Sequence, residues 1–244
     1  GRTDSSDDYH TATWLDFNMF QSGHRRYDQD TLPGSFKEDT YKFVQRDLTL
    51  KPIKPTLDGE PSYEGIPHGL HDTLQPLWKA SDVRRYGYWS VFAGAAGYTY
   101  GHNAVMQMFR KGDKPAYGNK VFWYDAIKAP GAGQMVYLKK LLLSFPYFDR
   151  VPDPSLVANQ GEKYNYLATS RGKDYALIYT YNGRKIAVNM GKITGFTLTA
   201  SWYNPRNGVT TKIGQVPNKG IQEFQPIGKK EDGNDWVLIL KSQK

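Results

Sequence analysis

The chain has 244 residues and a formal net charge of +8, with 39% hydrophobic and 14% aromatic residues, a composition that buries a core and excludes a disordered chain. It contains no cysteine, which excludes a disulfide framework and thiolate metal ligation. No apolar run reaches the roughly 18 residues of a membrane-spanning helix, and the longest, 137–148, is interrupted by two lysines and a proline.

The first run, "TWLDFNMFQSGH" (13–24), reads as a short buried strand ending in a polar tip, Gln21 to His24. "TLDGEPSYEG" (56–65) follows, with Asp58 and Glu60 at the end of an apolar run. Glycine lets the backbone turn there and proline stops a strand ladder, so Glu60 is expected at the C-terminal rim of a strand. Two-residue spacing places Asp58 on the same face, one layer deeper. "SDVRRYGYWSVFAGA" (81–95) opens on a Ser/Asp cap signal and spaces its apolar residues by three or four, as an amphipathic helix does. "GYTYGHN" (97–103) reads as a strand leading to the polar tip Tyr100 to Asn103, and "GQMVYLKKLLLS" (133–144) as a helix closed by Pro146. Strands alternating with helices predict a parallel α/β fold.

After the Pro/Asp/Asn/Gly-rich connector 151–161 the grammar changes. "YNYLATS", "DYALIYT", "RKIAVNM", "FTLTASWY" and "DWVLILK" alternate with a period of two, separated by turn signals at 181–184, 204–208 and 231–235. This predicts a small antiparallel β-sandwich, with Trp202 and Trp236 in its core. The domain boundary is placed at 155, giving units 1–155 and 156–244. Residues 161–244 carry 13 Lys+Arg and 6 Asp+Glu, a net +7, so nearly all the basic excess lies there. The lysines are scattered singly, which reads as a solvated face rather than a nucleic-acid footprint.

The three tips converge if their strands are parallel. Carboxylates, His and Asn stand there among Trp14, Tyr63, Tyr98 and Tyr100, whose flat faces suit sugar rings. That vocabulary points to carbohydrate hydrolysis, in which two carboxyl groups flank the scissile bond. Glu60 is the candidate nucleophile; Gln21, His24, Asp58, Tyr63, Tyr100, His102 and Asn103 are the candidate substrate contacts. Glu64 is read as a loop residue, and no second catalytic acid stands out. No cofactor motif occurs, and His68 and His71 in a Gly/Pro-rich loop are poor evidence for a metal.

"WLDFNMFQSGHRRYD", "KPTLDGEPSYEGIP", "DVRRYGYWSVFAGAAGYTYGHNAVMQM" and "NDWVLILK" together resemble consecutive motifs of the apiosidase-like glycoside hydrolases, family 140. The resemblance implies a (β/α)8 TIM barrel, of which this chain corresponds to the later strands and helices, followed by the small antiparallel β-sandwich labelled collagen-binding in that family. It implies that Glu60, in the "DGEP" motif, is the nucleophile of a retaining enzyme. The family's acid/base is an aspartate in a Gly-Gly-Asp motif that this sequence does not contain. The expected partners are therefore a carbohydrate substrate and a companion chain with the N-terminal half of the barrel, with no nucleic acid and no membrane span. The chain opens on Gly1-Arg2 with no signal segment, as if cut from something longer, and family context implies a periplasmic or extracellular location. The competing expectation is a non-catalytic carbohydrate- or matrix-binding protein.

Overall fold

The computed structural model describes residues 4–243, and the chain divides into two compact units, 1–135 and 136–244. In the first, β1 (Asn18–Phe20), β2 (Thr56–Asp58) and β3 (Gly97–Tyr98) form a parallel sheet in that order. The helices α2 (Thr40–Thr49) and α3 (Ala80–Phe92) connect them, after a short α1 (Ser5–Tyr9). Phe20 lies opposite Asp58, and Asp58 opposite Tyr98.

One sheet face is covered by the two connecting helices. Phe20 stacks on Phe43 of α2 at 5.0 Å between ring centres. Thr56 donates its hydroxyl to Asp47 of α2 at 2.6 Å, and Ser90 of α3 donates to Asp58 at 2.8 Å. The Tyr98 hydroxyl donates to the Val83 carbonyl of α3 at 2.9 Å. Strand alternation then turns Met19 and Leu57 to the opposite face, where Met19 is 49% exposed. That face also carries Gly97, where a Cβ would meet the Leu57 side chain at 2.9 Å.

The helix read from residues 81–95 is α3, whose N-terminus is closed by Asp82 accepting from the Lys79 backbone N–H at 2.9 Å. It is buried nearly all round. Its Arg85 is fully buried, pairs with the equally buried Glu38 at 2.7 Å, and lies against the rings of Tyr86 and Trp89. Short helices α4 (Asn103–Met106) and α5 (Trp123–Ala126) follow, then α6 (Pro130–Leu143).

The second unit is antiparallel. Its main sheet runs β4 (Val151–Pro152), β5 (Leu167–Arg171), β6 (Tyr175–Thr180), β11 (Trp236–Ser242), β8 (Thr197–Tyr203), β9 (Thr210–Pro217). The antiparallel pair of β7 (Ile186–Asn189) and β10 (Ile221–Phe224), with β8 and β9 between them in the chain, forms a second sheet. One core draws on both layers: Leu167, Ile178, Trp202 and Leu238 from the first, Ile186, Val188 and Phe224 from the second. Trp202 and Trp236 are both buried there, edge to face. The sequence reading omitted β9 and β10. β9 is an edge strand, exposed along most of its length, so it lacks the apolar alternation that marks the others.

Candidate active site

The three strand ends do come together. Gly59 N–H donates to the Phe20 carbonyl at 3.0 Å, Gly23 N–H to the Glu60 carbonyl at 3.2 Å, and Thr99 N–H to the Asp58 carbonyl at 2.9 Å. The parallel ladder is thus carried past the named strands into the tips. Beyond it, Glu64 N–H bonds to the Gly101 carbonyl and Asn103 N–H to the Glu64 carbonyl, each at 2.9 Å. The segment after Glu60 is therefore stitched to the tip that follows β3.

Glu60 is the carboxylate that faces out of this rim, its side chain 42% exposed. Its Oε1 is 3.4 Å from Nε2 of His24, which is buried. The other ring nitrogen, Nδ1, accepts from the Tyr63 backbone N–H at 3.4 Å. An acceptor at Nδ1 leaves the hydrogen on Nε2 of the neutral ring, directed at Glu60. Tyr63 meets the His24 ring edge-on at 4.7 Å. Burial and the neighbouring Glu60 carboxylate both push the Tyr63 phenol above its ordinary value, so it stays a hydrogen-bond donor at neutral pH. A Cβ at position 101 would lie 2.1 Å from the Tyr63 ring. Only glycine leaves that ring its place.

Glu64 is held quite differently. It is buried, and its Oε2 accepts from the Tyr100 hydroxyl at 2.6 Å and from Gly131 N–H in the first turn of α6 at 3.0 Å. A carboxylate at a helix N-terminus is favourably placed, and a Cβ at 131 would stand 2.3 Å from that oxygen. Tyr100 is raised by burial and by Glu64.

Asp58 differs from the sequence expectation. It points to the helix side of the sheet, with no exposed surface, and takes the hydroxyls of Ser22 at 3.0 Å and Ser90 at 2.8 Å. The substrate contact expected of it is replaced by a bracing position, because the chain turns at Gly59 and Glu60 does not continue the strand's alternation. Burial lifts its carboxyl to about 7, against the two serine hydrogen bonds that lower it.

His102 and Asn103 are also turned inward. His102 caps α4, its Nδ1 accepting from Ala104 N–H at 3.1 Å, and burial lowers its basicity. Asn103 has no exposure: its amide donates to the Gly65 and Tyr117 carbonyls and its oxygen accepts from Gln107. The contact read for Asn103 is corrected to a structural one, since two backbone carbonyls and Gln107 take its polar atoms, and His102 spends Nδ1 on the cap. Gln21 is half-exposed and opens, with His24, Arg25 and His71, onto a pocket of about 210 Å³. Trp14 is 68% exposed, packs with Tyr9, and precedes β1, so it lies at the other end of that strand from the tips. Sequence reasoning missed Ser22, Ser90 and the Glu64–Gly131 contact. The first was legible as a hydroxyl within "QSGH"; the others depend on tertiary pairing. Among the described residues, no group of three His, Asp or Glu is placed to hold a metal ion.

Residues 1–149 match the profile of the apiosidase-like catalytic domain. The chain belongs to the apiosidase-like family. Residues 151–241 match a second profile, described as "Putative collagen-binding domain of a collagenase". Among solved structures, a protein described as "Glycoside hydrolase" is 49% identical and superposes with a TM-score of 0.95 over 99% of this chain and 56% of its own. A glycoside hydrolase family 5 protein from Bacteroides vulgatus ATCC 8482 is 44% identical, with a TM-score of 0.96 over 100% of this chain and 54% of its own. The chain thus spans little more than half the length of these relatives. No curated protein matches it.

Proposed function

We propose that the chain carries the nucleophile side of a retaining glycosidase, with Glu60 as the nucleophile. The observation that carries this reading is the contrast among the rim carboxylates. Asp58 and Glu64 are buried and each takes at least two donors from the fold, whereas Glu60 is partly exposed and oriented by His24 Nε2. In the reaction, a Glu60 oxygen attacks the anomeric carbon while the glycosidic C–O bond breaks, and a general acid gives its proton to the departing oxygen. Water then cleaves the glycosyl ester with the same acid acting as base, which restores both carboxyl groups and retains configuration. His24 and Tyr63 would hold the attacking oxygen in line. Gln21, Tyr100 and the pocket beside His24 would receive the sugar.

The acid/base falls to the part of the family fold that these residues do not span, on a companion chain or elsewhere in a longer one. The parallel β1–β2–β3 sheet is then the later part of a (β/α)8 barrel whose remaining strands cover Met19 and Leu57. That reading accounts for an apolar sheet face that is otherwise open. The activity would act from the end of a plant or bacterial glycan, outside the cytoplasm, and appear only with the barrel complete.

The test is Glu60→Gln in the complete enzyme, assayed on aryl glycosides. Loss of more than about a thousandfold in kcat is expected for a nucleophile, with a 2-deoxy-2-fluoro glycoside labelling the Glu60 peptide in the unsubstituted enzyme. Label on another residue, or full activity of the variant, would sink the assignment.

A further inference from the structure

The second unit contains a groove of about 680 Å³ that belongs to none of the strand tips around Glu60. Its floor is the outward face of β8 and β11: Thr199 and Ser201 beside Lys241 and Ile239, which the register sets opposite one another. Its wall is the end of α6, from which Lys140 projects, followed by Phe145.

The wall is fixed in place. The Tyr203 hydroxyl donates to the Tyr137 carbonyl at 2.8 Å, and the Tyr137 ring closes on Gly208, where a Cβ would stand 2.6 Å from it. Phe145 stacks on Tyr175 with ring centres 4.5 Å apart and remains half-exposed. The volume lies within the ~300–1,000 Å³ of small-molecule sites.

The charge of the groove is one-sided. Lys140 and Lys241 are both exposed, and no Asp or Glu lines the site. Neither lysine forms an ion pair among the described residues, and Lys241 lies 5.9 Å from the Phe145 ring centre. Hydroxyls complete the lining. That of Ser144 is spent on the Leu141 carbonyl, but those of Ser201 and Thr210 have no hydrogen-bond partner among the described residues.

We propose that this groove binds an acidic oligosaccharide, its carboxylate between Lys140 and Lys241, its hydroxyls on Ser201 and Thr210, and a ring face on Phe145. Two cations suit one or two carboxylates. A nucleic-acid site neutralises on the order of 6–10 phosphates, for which the groove is too sparsely charged. A bound peptide strand would pair along a sheet edge, whereas the floor of this groove is a sheet face that meets the edge strand β9 only at Thr210.

The experiment titrates the full chain by calorimetry with trigalacturonic acid and with its fully methyl-esterified form. The acid should bind, and its affinity should fall as salt rises from 50 to 300 mM. The ester, equal in size but uncharged, should bind at least tenfold more weakly, as should the acid to a Lys140→Gln/Lys241→Gln chain. Exposed Lys→Gln changes leave stability nearly unaltered, and the ester comparison needs no variant at all. Glu60→Gln should leave the binding unchanged, which separates this groove from the rim. Equal binding of acid and ester, no binding at millimolar concentration, or undiminished binding to the double variant would each overturn the proposal. Equally tight binding of hexaglutamate would overturn it too, since any anion would then serve.

Discussion

His24 Nε2 stands 3.4 Å from Glu60 Oε1 although 36 positions separate the two residues in the chain. Adjacent parallel strands bring them together, and the pairing of Gly23 with Glu60 fixes the distance between their tips. The Tyr63 N–H on the opposite ring nitrogen sets which tautomer faces the carboxylate.

His24→Ala should therefore lower turnover without removing it. A hydrogen bond to a charged group is worth about 1.5–3 kcal/mol, so a fall in kcat of roughly 10- to 100-fold is expected, with a smaller change in KM. His24→Gln, which can donate from nearly the same place, should recover part of it. A change confined to KM would show that His24 grips substrate instead of orienting Glu60.

Asp58 carries a pH signature. Its carboxyl titrates near 7 when folded against an ordinary 3.8, because it is buried. The folded state thus holds its proton more tightly than the unfolded chain does, and stability falls as pH rises between those values. The contribution is complete below about pH 4 and has drained away above about pH 7. Asp58→Asn keeps the shape, removes the titration, and leaves the Ser22 and Ser90 hydroxyls able to turn and accept. Its melting temperature should decline less than that of the unsubstituted chain between pH 5 and pH 8. Equal slopes would mean that another group sets the dependence.

Much of this site is readable from local pattern. The three polar tips, α3 and the alternating strands β5, β6, β8 and β11 follow from residue periodicity and turn chemistry. The orientation of Asp58 does not, because parity along a strand is lost at a turn such as Gly59. Nor does local pattern say which polar side chains the backbone will consume. His102 and Asn103 look like ligands in "YGHN" and prove to be a helix cap and a loop clamp. β9 is hidden because an edge strand with Lys212, Gly214 and Pro217 is built to discourage pairing rather than to enter the core.

Gly101 is required by a ring rather than by its own backbone angles. A methyl group there would meet the Tyr63 ring at 2.1 Å, and the ring also packs against His24, 4.7 Å centre to centre. Gly101→Ala should displace Tyr63, cost about 1–3 kcal/mol of stability as overpacking does, and depress kcat together with thermal stability. Tyr63→Ala in the same chain should relieve the strain, so that the double variant is more stable than additivity allows. Additive losses would place the collision elsewhere.

Glu38 tests how the segment bearing His24 is anchored. It lies in the connection between β1 and α2, where one oxygen accepts from Tyr27 N–H at 2.8 Å and the other from Arg85 of α3 at 2.7 Å, all within the first unit. Both partners of the pair are fully buried. Glu38→Gln keeps the volume but takes from the buried Arg85 its 2.7 Å partner, leaving Asp82 at 3.8 Å, and breaking one side of such a pair costs about 3–5 kcal/mol. Glu38→Gln/Arg85→Met, which removes both charges, should regain most of that loss, because the desolvation penalty goes with them. Urea unfolding of the four chains of this cycle gives the coupling directly. A double variant no more stable than Glu38→Gln would show that the Arg85 stem and its stacking on Tyr86 and Trp89, not the ion pair, hold the segment in place.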